Sequence, residues 1–251
     1  MAEREATSLD AILGGRLKLR QMRDGHRVGL DAILLAAAAG LPAARLVDVG
    51  AGVGAVGLAL LQRWPQATGT LVEIDPELAE LATENAALNG LATRTRIVAA
   101  DALDAKSRRA AGLAEEAADL VVTNPPYLAA DAARPSPDAR RARAHVADSG
   151  PAALADWVVA GLALLAPGGR FVMIQRADAL PALLPAFAGR LGDLALRPVH
   201  PRADAPAIRL LIAGIKGSKA PLQVLPGLTL HEADGAATPL AAAIQRGEAE
   251  L

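Results

Sequence analysis

Short runs of Val, Leu and Ile alternate along most of the chain with longer stretches in which Ala and Leu recur at helical spacing. Each apolar run has the length of a buried strand, and this alternation is typical of a parallel sheet covered by helices on both faces. The chain is therefore predicted to be an α/β protein with a doubly wound, mainly parallel sheet. The first five predicted strands are residues 45–49, 70–74, 96–99, 119–123 and 170–175.

Two later apolar runs, residues 194–199 and 208–215, have no helical stretch between them. Strands joined without a crossover helix are typically antiparallel, so these two are predicted to pair at the edge of the sheet. Residues 45–216 are thus expected to form the core domain. Because no repeat and no long linker is visible, residues 1–44 are expected to pack on this domain as an extension and residues 217–251 as its tail.

The extension carries its own signals. The alternation at Leu17–Arg20 predicts a strand that forms half of a hairpin ending at Asp24-Gly25, and residues 1–10 are expected to be a loose leader. Asp31 stands just before an alanine- and leucine-rich stretch and is predicted to cap a helix that reaches Ala39 and ends at Gly40.

The composition of the 251-residue chain restricts its chemistry. A formal net charge of −1 and a pI near 6.4 give no global basic field that would recruit nucleic acid. The absence of cysteine excludes disulfides and thiolate metal sites and fits a reducing cytoplasm. The four histidines are scattered, so no metal is expected. Neither a signal peptide nor a membrane span is expected, because the first six residues include acids and no run of about 18 apolar residues occurs.

Two local clusters of basic residues stand out from this neutral background. Patch one, residues 16–27, has five Arg and Lys side chains, and patch two, residues 134–145, has four arginines and a histidine. Such clusters are often no more than solvated surface. If the partner is a nucleic acid, they are the places expected to hold its phosphates.

A glycine-rich turn follows the first strand of the core domain. Residues 52–57 satisfy G-x-G-x-x-G, the dinucleotide pattern, which alone is a weak signal. The frame Asp48-Val49-Gly50-Ala51-Gly52-Val53-Gly54 places an acid on the strand itself and suits S-adenosylmethionine better than NAD. Its glycines would let the backbone approach the methionyl and ribose part, and no pyrophosphate has to be held.

Acids also stand at the ends of the second and third strands. Glu73 lies 73 − 50 = 23 residues after Gly50 and is well placed to accept hydrogen bonds from both ribose hydroxyls. Asp101 ends the third strand and could accept from the adenine amino group. Because ligands of open α/β sheets bind at the carboxyl ends of the strands, these acids predict a single binding edge.

The fourth strand stops at Asn124-Pro125-Pro126-Tyr127. Each proline fixes its own φ, and Pro126 also forces Pro125 into an extended conformation. The Asn124 side chain and the Pro125 carbonyl are therefore predicted to be held rigidly at the strand end, where both can accept hydrogen bonds from a planar –NH₂ group. Tyr127 is expected to stack on that group through its ring, with its hydroxyl unimportant.

These segments resemble the ordered motifs of class I S-adenosylmethionine-dependent methyltransferases that act on exocyclic amino or amide nitrogens. Within that class, the chain resembles the bacterial tRNA adenine-N6 methyltransferases that modify the adenine 3′ to the anticodon of a valine tRNA. Near the N-terminus this subfamily likeness rests on Gln21, Gly25-His26-Arg27 and the segment from Asp31 to Ala36, and near the C-terminus it rests on Leu228–His231 with Gly235. At His26 the subfamily usually carries an aromatic residue.

The resemblance implies a Rossmann-like sheet of seven strands with the last one reversed, and a methyl transfer from S-adenosylmethionine to adenine N6 without a metal. Asn124 and Pro125 would polarise the amine, while Arg27 and Asp31 are expected near the methionyl carboxylate and ammonium. The catalytic residues are expected to be Asn124, Pro125, Pro126 and Tyr127. The cofactor is expected to contact Arg27, Asp31, Asp48, Gly50, Ala51, Gly52, Gly54, Glu73, Ile74, Asp101, Ala102 and Asn124.

Three other functions share parts of this pattern. Release-factor glutamine-N5 methyltransferases use the same Asn-Pro-Pro-Tyr on an amide but carry a helical domain ahead of the cofactor motif, and only 47 residues precede Asp48 here. Guanine-N2 methylation of rRNA is a second alternative. The third is a binding module that keeps the cofactor site without catalysis, against which the intact Asn124–Tyr127 segment argues.

Overall fold

A computed structural model describes residues 7–24, 27–127 and 151–251, with only the backbone of residues 151–153. The N-terminal hairpin consists of β1 (Thr7–Ile12) and β2 (Leu17–Met22), which pair antiparallel. The partner of the predicted strand at Leu17–Arg20 is thus the segment before it.

The main sheet has nine strands in the described part of the chain. Its order from one edge is β5-β4-β3-β6-β7-β9-β8, and two short strands then lie beside β8. The strands are β3 (Arg45–Val49), β4 (Thr68–Glu73), β5 (Thr95–Ala99), β6 (Ala118–Thr123), β7 (Leu165–Arg176), β8 (Leu191–His200), β9 (Arg209–Lys216), β10 (Gln223–Val224) and β11 (Leu228–Thr229).

The prediction of a doubly wound sheet whose last core strand is reversed is confirmed. β3 to β7 pair in parallel, and β9 runs antiparallel to both β7 and β8. The seven predicted strands are β3 to β9, and β8 and β9 form the predicted antiparallel pair at one side of the sheet. The two-residue strands β10 and β11, which were not predicted, extend the sheet beyond β8. Sequence periodicity does not reveal two-residue strands among the prolines and glycines of residues 217–229.

Seven helices occur in the described residues: α1 (Leu30–Ala37), α2 (Ala55–Arg63), α3 (Pro76–Leu88), α4 (Ala105–Ala110), α5 (Pro151–Leu164), α6 (Leu180–Phe187) and α7 (Pro239–Gln245). Side chains of β6 alternate between the two layers, as a strand's period of two requires. Leu120 and Val122 join the apolar cluster under α1, α2 and α7, and Val121 joins the one under α5 and α6. No helix in the described ranges is long and apolar enough to cross a membrane.

Helix α1 does not begin as predicted. Gly29 is its N-cap residue, and no side chain caps it. Asp31 lies inside the first turn, so its carboxylate points away from the helix axis and contacts other elements. The prediction that Asp31 is the N-cap is therefore wrong.

Candidate active site

The turn between β3 and α2 has the backbone geometry that the glycine pattern predicts. Gly50, Gly52 and Gly54 have φ values of 72°, 55° and 88°, a region that L side chains rarely adopt. A Cβ on Gly50 would lie 2.6 Å from the ring of Trp157 on α5, whereas nothing lies within 4 Å of a Cβ built on Gly52. The turn is thus packed on one side and open at Gly52.

Asp48 lies beneath this turn and not on its surface. Its side chain is only 2% exposed, and its Oδ2 accepts a hydrogen bond of 2.8 Å from the backbone N–H of Gly57. Burial raises the pKa of Asp48 to about 7 and the nearby Glu73 adds to the rise, whereas the Gly57 N–H opposes it. Asp48 fastens the first turn of α2 to β3, and so it sets the position of the glycines.

Glu73 connects the end of β4 to the same turn. Its two carboxylate oxygens accept from the N–H groups of Gly52, at 2.7 Å, and Asp75, at 2.9 Å. Burial raises the pKa of Glu73, although both N–H groups oppose the rise. Ile74 follows it and is 58% exposed, so it presents an apolar surface at the end of the strand.

Asp101 and Ala102 follow β5 at the same edge of the sheet. The Asp101 carboxylate is half-buried and accepts from the N–H of Leu103 at 2.8 Å, while its own N–H donates to Ser107 Oγ at 3.1 Å. Ala102 is buried. The glycine turn, Glu73 and Asp101 therefore all lie at the carboxyl edge of three adjacent strands, as predicted.

The Asn124–Tyr127 segment leaves β6 beside the glycine turn. The last residue of β6, Thr123, pairs with Val49 and donates from its hydroxyl to the Val49 carbonyl at 2.8 Å. Pro125 is buried, Pro126 is exposed, and Asn124 is half-buried. Because β3 and β6 are neighbours, Asn124 and Gly50 leave the sheet side by side.

Tyr127 has polar partners that sequence reasoning did not assign. Its hydroxyl donates a short hydrogen bond to Asp31 Oδ2 and lies 3.0 Å from Nε of Arg209, the first residue of β9. Arg209 Nε also donates to Asp31 at 3.2 Å, and its guanidinium carbon lies 4.3 Å from the centre of the Tyr127 ring. Burial and the Asp31 carboxylate hold the pKa of Tyr127 above its usual range.

Arg27 lies in the segment just before α1. It forms an ion pair of 2.7 Å with Asp10 of the hairpin, and Asp10 also accepts from Gln21 Nε2 at 2.9 Å. The Gln21 Oε1 in turn accepts from the N–H of Val28 at 2.9 Å. Gln21 therefore ties the segment before α1 to the hairpin. That Arg27 contacts the cofactor stays a prediction, and His26 lies outside the described residues.

Several cations of patch one have internal partners. Arg16 donates to the Gly247 carbonyl at 2.7 Å, Arg20 pairs with Glu84 at 3.1 Å, and Lys18 is exposed. Patch two, residues 134–145, lies outside the described residues. The role of either patch in nucleic-acid binding stays a prediction.

The opposite edge of the sheet has a cavity of about 400 Å³ at the amino ends of β3, β4 and β5. Of its three arginines, Arg45 pairs with Asp119, and the other two donate to carbonyls of helices and turns. Arg94 donates to the carbonyls of Leu61, Trp64 and Ala67, and Arg96 to those of Ala111 and Gly112. These contacts give the arginines a structural role. The candidate active site therefore lies at the carboxyl edge of the sheet.

The strand order and the residues at the carboxyl edge define a class I methyltransferase. The family model for the methyltransferase small domain matches residues 30–141. The crystal structure of a predicted O-methyltransferase, protein Atu636 from Agrobacterium tumefaciens, is 32% identical with a TM-score of 0.74, over 88% of this chain and 98% of that one. The chain belongs to the class I methyltransferases, whose methyl donor is S-adenosylmethionine.

Two curated relatives are similar over shorter lengths. A tRNA1(Val) (adenine(37)-N6)-methyltransferase of Porphyromonas gingivalis is 36% identical over 162 residues, which are 62% of this chain and 61% of the relative. A release factor glutamine methyltransferase of Cereibacter sphaeroides is 34% identical over 145 residues, 56% of this chain and 49% of the relative. The matched region therefore spans about half to three fifths of these relatives.

The residues at the carboxyl edge fit S-adenosylmethionine. Gly52 leaves open space where a side chain would stand, Glu73 presents a buried carboxylate beside it, and Ile74 adds an exposed apolar surface. A carboxylate that already accepts one N–H on each oxygen retains lone pairs for two hydroxyl donors. This combination suits a ribose that is flanked by an aromatic base.

Proposed function

We propose that the protein transfers a methyl group from S-adenosylmethionine to adenine N6 of a tRNA, in the cytoplasm. The observation that carries the proposal is the Asn124–Tyr127 segment at the end of β6, beside the glycine turn after β3. The similarity to the tRNA adenine-N6 enzyme of P. gingivalis supports the choice of acceptor. Bound S-adenosylmethionine would supply an electrophilic methyl group on a sulfonium.

Asn124 and Pro125 would act on the acceptor amine. The side-chain oxygen of Asn124 and the carbonyl of Pro125 accept one N–H each, which draws the nitrogen lone pair out of conjugation with the ring. The interaction becomes stronger as the nitrogen becomes tetrahedral. It therefore stabilises the transition state more than the bound substrate and lowers the activation barrier of methyl transfer. Pro126 holds the segment extended, and Tyr127 provides a ring face for stacking.

The remaining predicted site residues would hold the cofactor. Glu73 would accept from the ribose hydroxyls, Ile74 would pack on the adenine, and Asp101 with Ala102 would meet the adenine edge. The turn Gly50-Ala51-Gly52 with Gly54 would approach the methionyl part, and Asp48 would keep that turn in place through Gly57. Arg27 and Asp31 are proposed near the methionyl carboxylate and ammonium. Arg27 would have to leave Asp10, whereas Asp31 would meet the ammonium with its other oxygen, Oδ1, and keep the Oδ2 bonds to Tyr127 and Arg209.

The two basic patches are proposed to hold tRNA phosphates around this edge. The ion pairs of patch one are partly exposed, and such pairs contribute about 0–1 kcal/mol each. Exchange of Glu84 for a phosphate at Arg20 would therefore cost little. An anticodon-loop adenine is already unpaired, so only a few kcal/mol is needed to bring it into a pocket.

One observation favours a second candidate, the methylation of a glutamine side chain in a protein. The chain is 34% identical to a release factor glutamine methyltransferase over the matched region. A glutamine amide has the same planar –NH₂ group as adenine. The two candidates differ in the macromolecule that carries the amine.

The proposal is tested by the fate of a labelled methyl group. The purified protein is incubated with tritiated S-adenosylmethionine and equal amounts of unmodified total tRNA and unmodified release factor. We expect the label in RNA, sensitive to ribonuclease and resistant to protease. If the label is found in the release factor instead, the protein is a glutamine methyltransferase and the adenine-N6 proposal is wrong.

A further inference from the structure

Three side chains from distant parts of the chain meet beside the Asn124–Tyr127 segment. Asp31 comes from the first turn of α1, Tyr127 follows β6, and Arg209 begins β9. β9 runs antiparallel to its neighbours, so its first residue lies at the same edge as the last residues of the parallel strands. The pairing of Arg209 with Arg176, the last residue of β7, fixes that position.

Arg209 contacts Tyr127 in two ways. Its guanidinium covers one face of the ring, at 4.3 Å from the ring centre, and its Nε lies 3.0 Å from the hydroxyl oxygen. Arg209 Nη1 also donates to the carbonyl of Ile208 at 3.0 Å, which fixes the orientation of the guanidinium plane. A planar guanidinium stacks on an aromatic face in a way that a lysine ammonium does not reproduce.

Asp31 completes the cluster because it accepts from both partners. Its Oδ2 accepts from the Tyr127 hydroxyl and, at 3.2 Å, from Arg209 Nε. The side chains of Asp31 and Arg209 are about one quarter exposed, and their hydrogen bonds to each other and to the hydroxyl are therefore partly shielded from water. The ring of Tyr127 is thus fixed both at its hydroxyl and over one face.

We propose that Arg209 is a positioning residue for Tyr127, acting with Asp31 as the shared acceptor. It holds the ring with one face covered, so that the opposite face is the one presented to a planar acceptor. The inference rests on the proposed function only in that the acceptor is a planar amine. It assigns a role to β9, a strand that carries none of the residues that the sequence motifs single out.

The protein offers a direct readout because Tyr127 is its sole tyrosine. Incorporation of 3-fluorotyrosine gives a single ¹⁹F resonance that reports the surroundings of this ring. We expect Arg209→Gln to shift the resonance strongly and to narrow it as the ring becomes mobile, and Arg209→Lys to do so less. The matched control is Arg45→Gln, which breaks an arginine–aspartate pair of 2.7 Å with Asp119 at the opposite edge of the sheet.

Kinetics separate a positioning role from a merely structural one. With the acceptor that the wild-type protein methylates, Arg209→Gln should lower kcat/KM roughly tenfold, about the effect of weakening one base–aromatic stack, and leave the cofactor Kd within about twofold. Tyr127→Phe should have a similar effect. This differs from the expectation that the hydroxyl is unimportant, because the hydroxyl is bound by Asp31 and Arg209. The double variant should be no worse than the more damaged single variant, because both changes act on one ring.

Two results would overturn the proposal. The first is an unchanged ¹⁹F resonance in Arg209→Gln, which needs no knowledge of the acceptor and stands even if tRNA proves to be the wrong substrate. The second is a double variant whose losses multiply, since Arg209 would then act on the reaction independently of Tyr127. A failure of the proposed function alone would appear as label in protein with the ¹⁹F shift still present.

Discussion

Asp48 and Glu73 are buried carboxylates held by backbone N–H groups, and the pKa of each is raised by burial. Asp48 stabilises the start of α2, whereas Glu73 lies next to the open side of the turn at Gly52. The sequence placed Asp48 on the first strand and Glu73 at the end of the second, but it did not predict that Asp48 is buried beneath the turn.

The raised pKa of Asp48 makes the folded protein less stable as pH rises. An unfolded aspartate loses its proton near pH 4, while in the folded protein Asp48 retains it up to about pH 7. Between these values the folded state binds more protons than the unfolded state, so the free energy of unfolding falls with rising pH. Asp48→Asn keeps an oxygen that accepts from the Gly57 N–H but has no proton to lose. It should therefore remove the Asp48 part of this fall in the free energy of unfolding, which is on the order of 4 kcal/mol at most.

Denaturant unfolding of wild type and Asp48→Asn at intervals from pH 4.5 to 8 measures this effect. Asp119→Asn is the control. The Arg45 guanidinium holds the pKa of Asp119 below its usual range, so Asp119 is ionised in the folded and the unfolded protein across this interval, and its replacement should leave the slope unchanged. Equal slopes for wild type and Asp48→Asn across this interval would show that Asp48 does not retain its proton.

Asn124 should be needed for turnover and not for cofactor binding. Asn124→Ala removes one acceptor for the amine, and loss of a hydrogen bond made in the transition state typically lowers kcat by about 10²–10³-fold. The Kd of S-adenosylhomocysteine, measured by calorimetry, should stay within a few-fold of wild type. A loss of cofactor affinity as large as the loss of kcat would place Asn124 in the cofactor site alone.

Sequence reasoning could find Asn124 and Tyr127 because each stands in a local motif. It could not find Arg209, which lies 82 residues beyond Tyr127 and reaches it only because β9 is reversed between β7 and β8. The same limit applies to Asp31. Asp31 precedes a helical stretch and so has the usual place of an N-cap, yet the helix starts two residues earlier than predicted and the carboxylate is used in a tertiary contact.

Helix α3 and the hairpin strand β2 are joined through side-chain amides. Asn85 is fully buried, and its amide exchanges hydrogen bonds with the N–H of Arg20, at 2.6 Å, and the Arg20 carbonyl, at 2.9 Å. Its Nδ2 also donates to the carbonyl of Val53 in the glycine turn, at 3.0 Å. Asn89, one helical turn later, makes the same pair of bonds with Lys18. The helix thus supplies the edge of β2 with partners that a neighbouring strand would otherwise provide.

We expect Asn85→Ala to destabilise the protein by about 2–4 kcal/mol, because it leaves the part-buried backbone groups of Arg20 and the buried carbonyl of Val53 without partners. Asn89→Ala should cost less, since Asn89 and Lys18 are more exposed and water can replace the amide. Chemical denaturation followed by circular dichroism measures both. Equal losses in the two variants would mean that burial of Asn85 is not what matters.

The elements of the core domain were largely predictable, because each strand is apolar and each helix has its own start and stop signals. β4 and β6 illustrate this, with predicted and observed ends within two residues. β10 and β11 were not predictable, because these two-residue strands form by pairing with the edge of β8 and have no strand pattern in their own residues. The hairpin partner β1 was missed because its alternation includes Asp10, which is satisfied by Gln21 and Arg27.

At the scale of the whole molecule, the two edges of the sheet have different uses. The carboxyl edge gathers Glu73, Asp101, Asn124 and Tyr127, and at the amino edge arginines hold the ends of helices and turns. The net charge is near zero, so long-range attraction of RNA must come from local patches. The topology alone predicts that the acidic and aromatic residues lie at a single edge. It does not predict that Arg16, Arg20 and Arg27 bind partners within the protein.

Patch two is expected to contribute phosphate contacts. Replacing Arg140, Arg141 and Arg143 with alanine should weaken tRNA binding and reduce the salt dependence by about one unit of slope per lost contact. Filter binding across a range of salt concentrations measures the slope, with Arg190, Arg197 and Arg202 replaced together as a control of equal charge. Identical slopes for the wild type and the patch-two variant would show that patch two makes no contact with tRNA phosphates.

The central claim is that the methyl group goes to an exocyclic adenine nitrogen held by Asn124 and Pro125. The most direct test uses two anticodon stem-loops of a valine tRNA, identical except that the adenine 3′ to the anticodon is replaced in one by purine, which lacks the amino group. Each is incubated with labelled S-adenosylmethionine and digested to nucleosides. We predict N6-methyladenosine from the first RNA and no label in the second; equal labelling of both RNAs, or label in guanosine, would contradict the account.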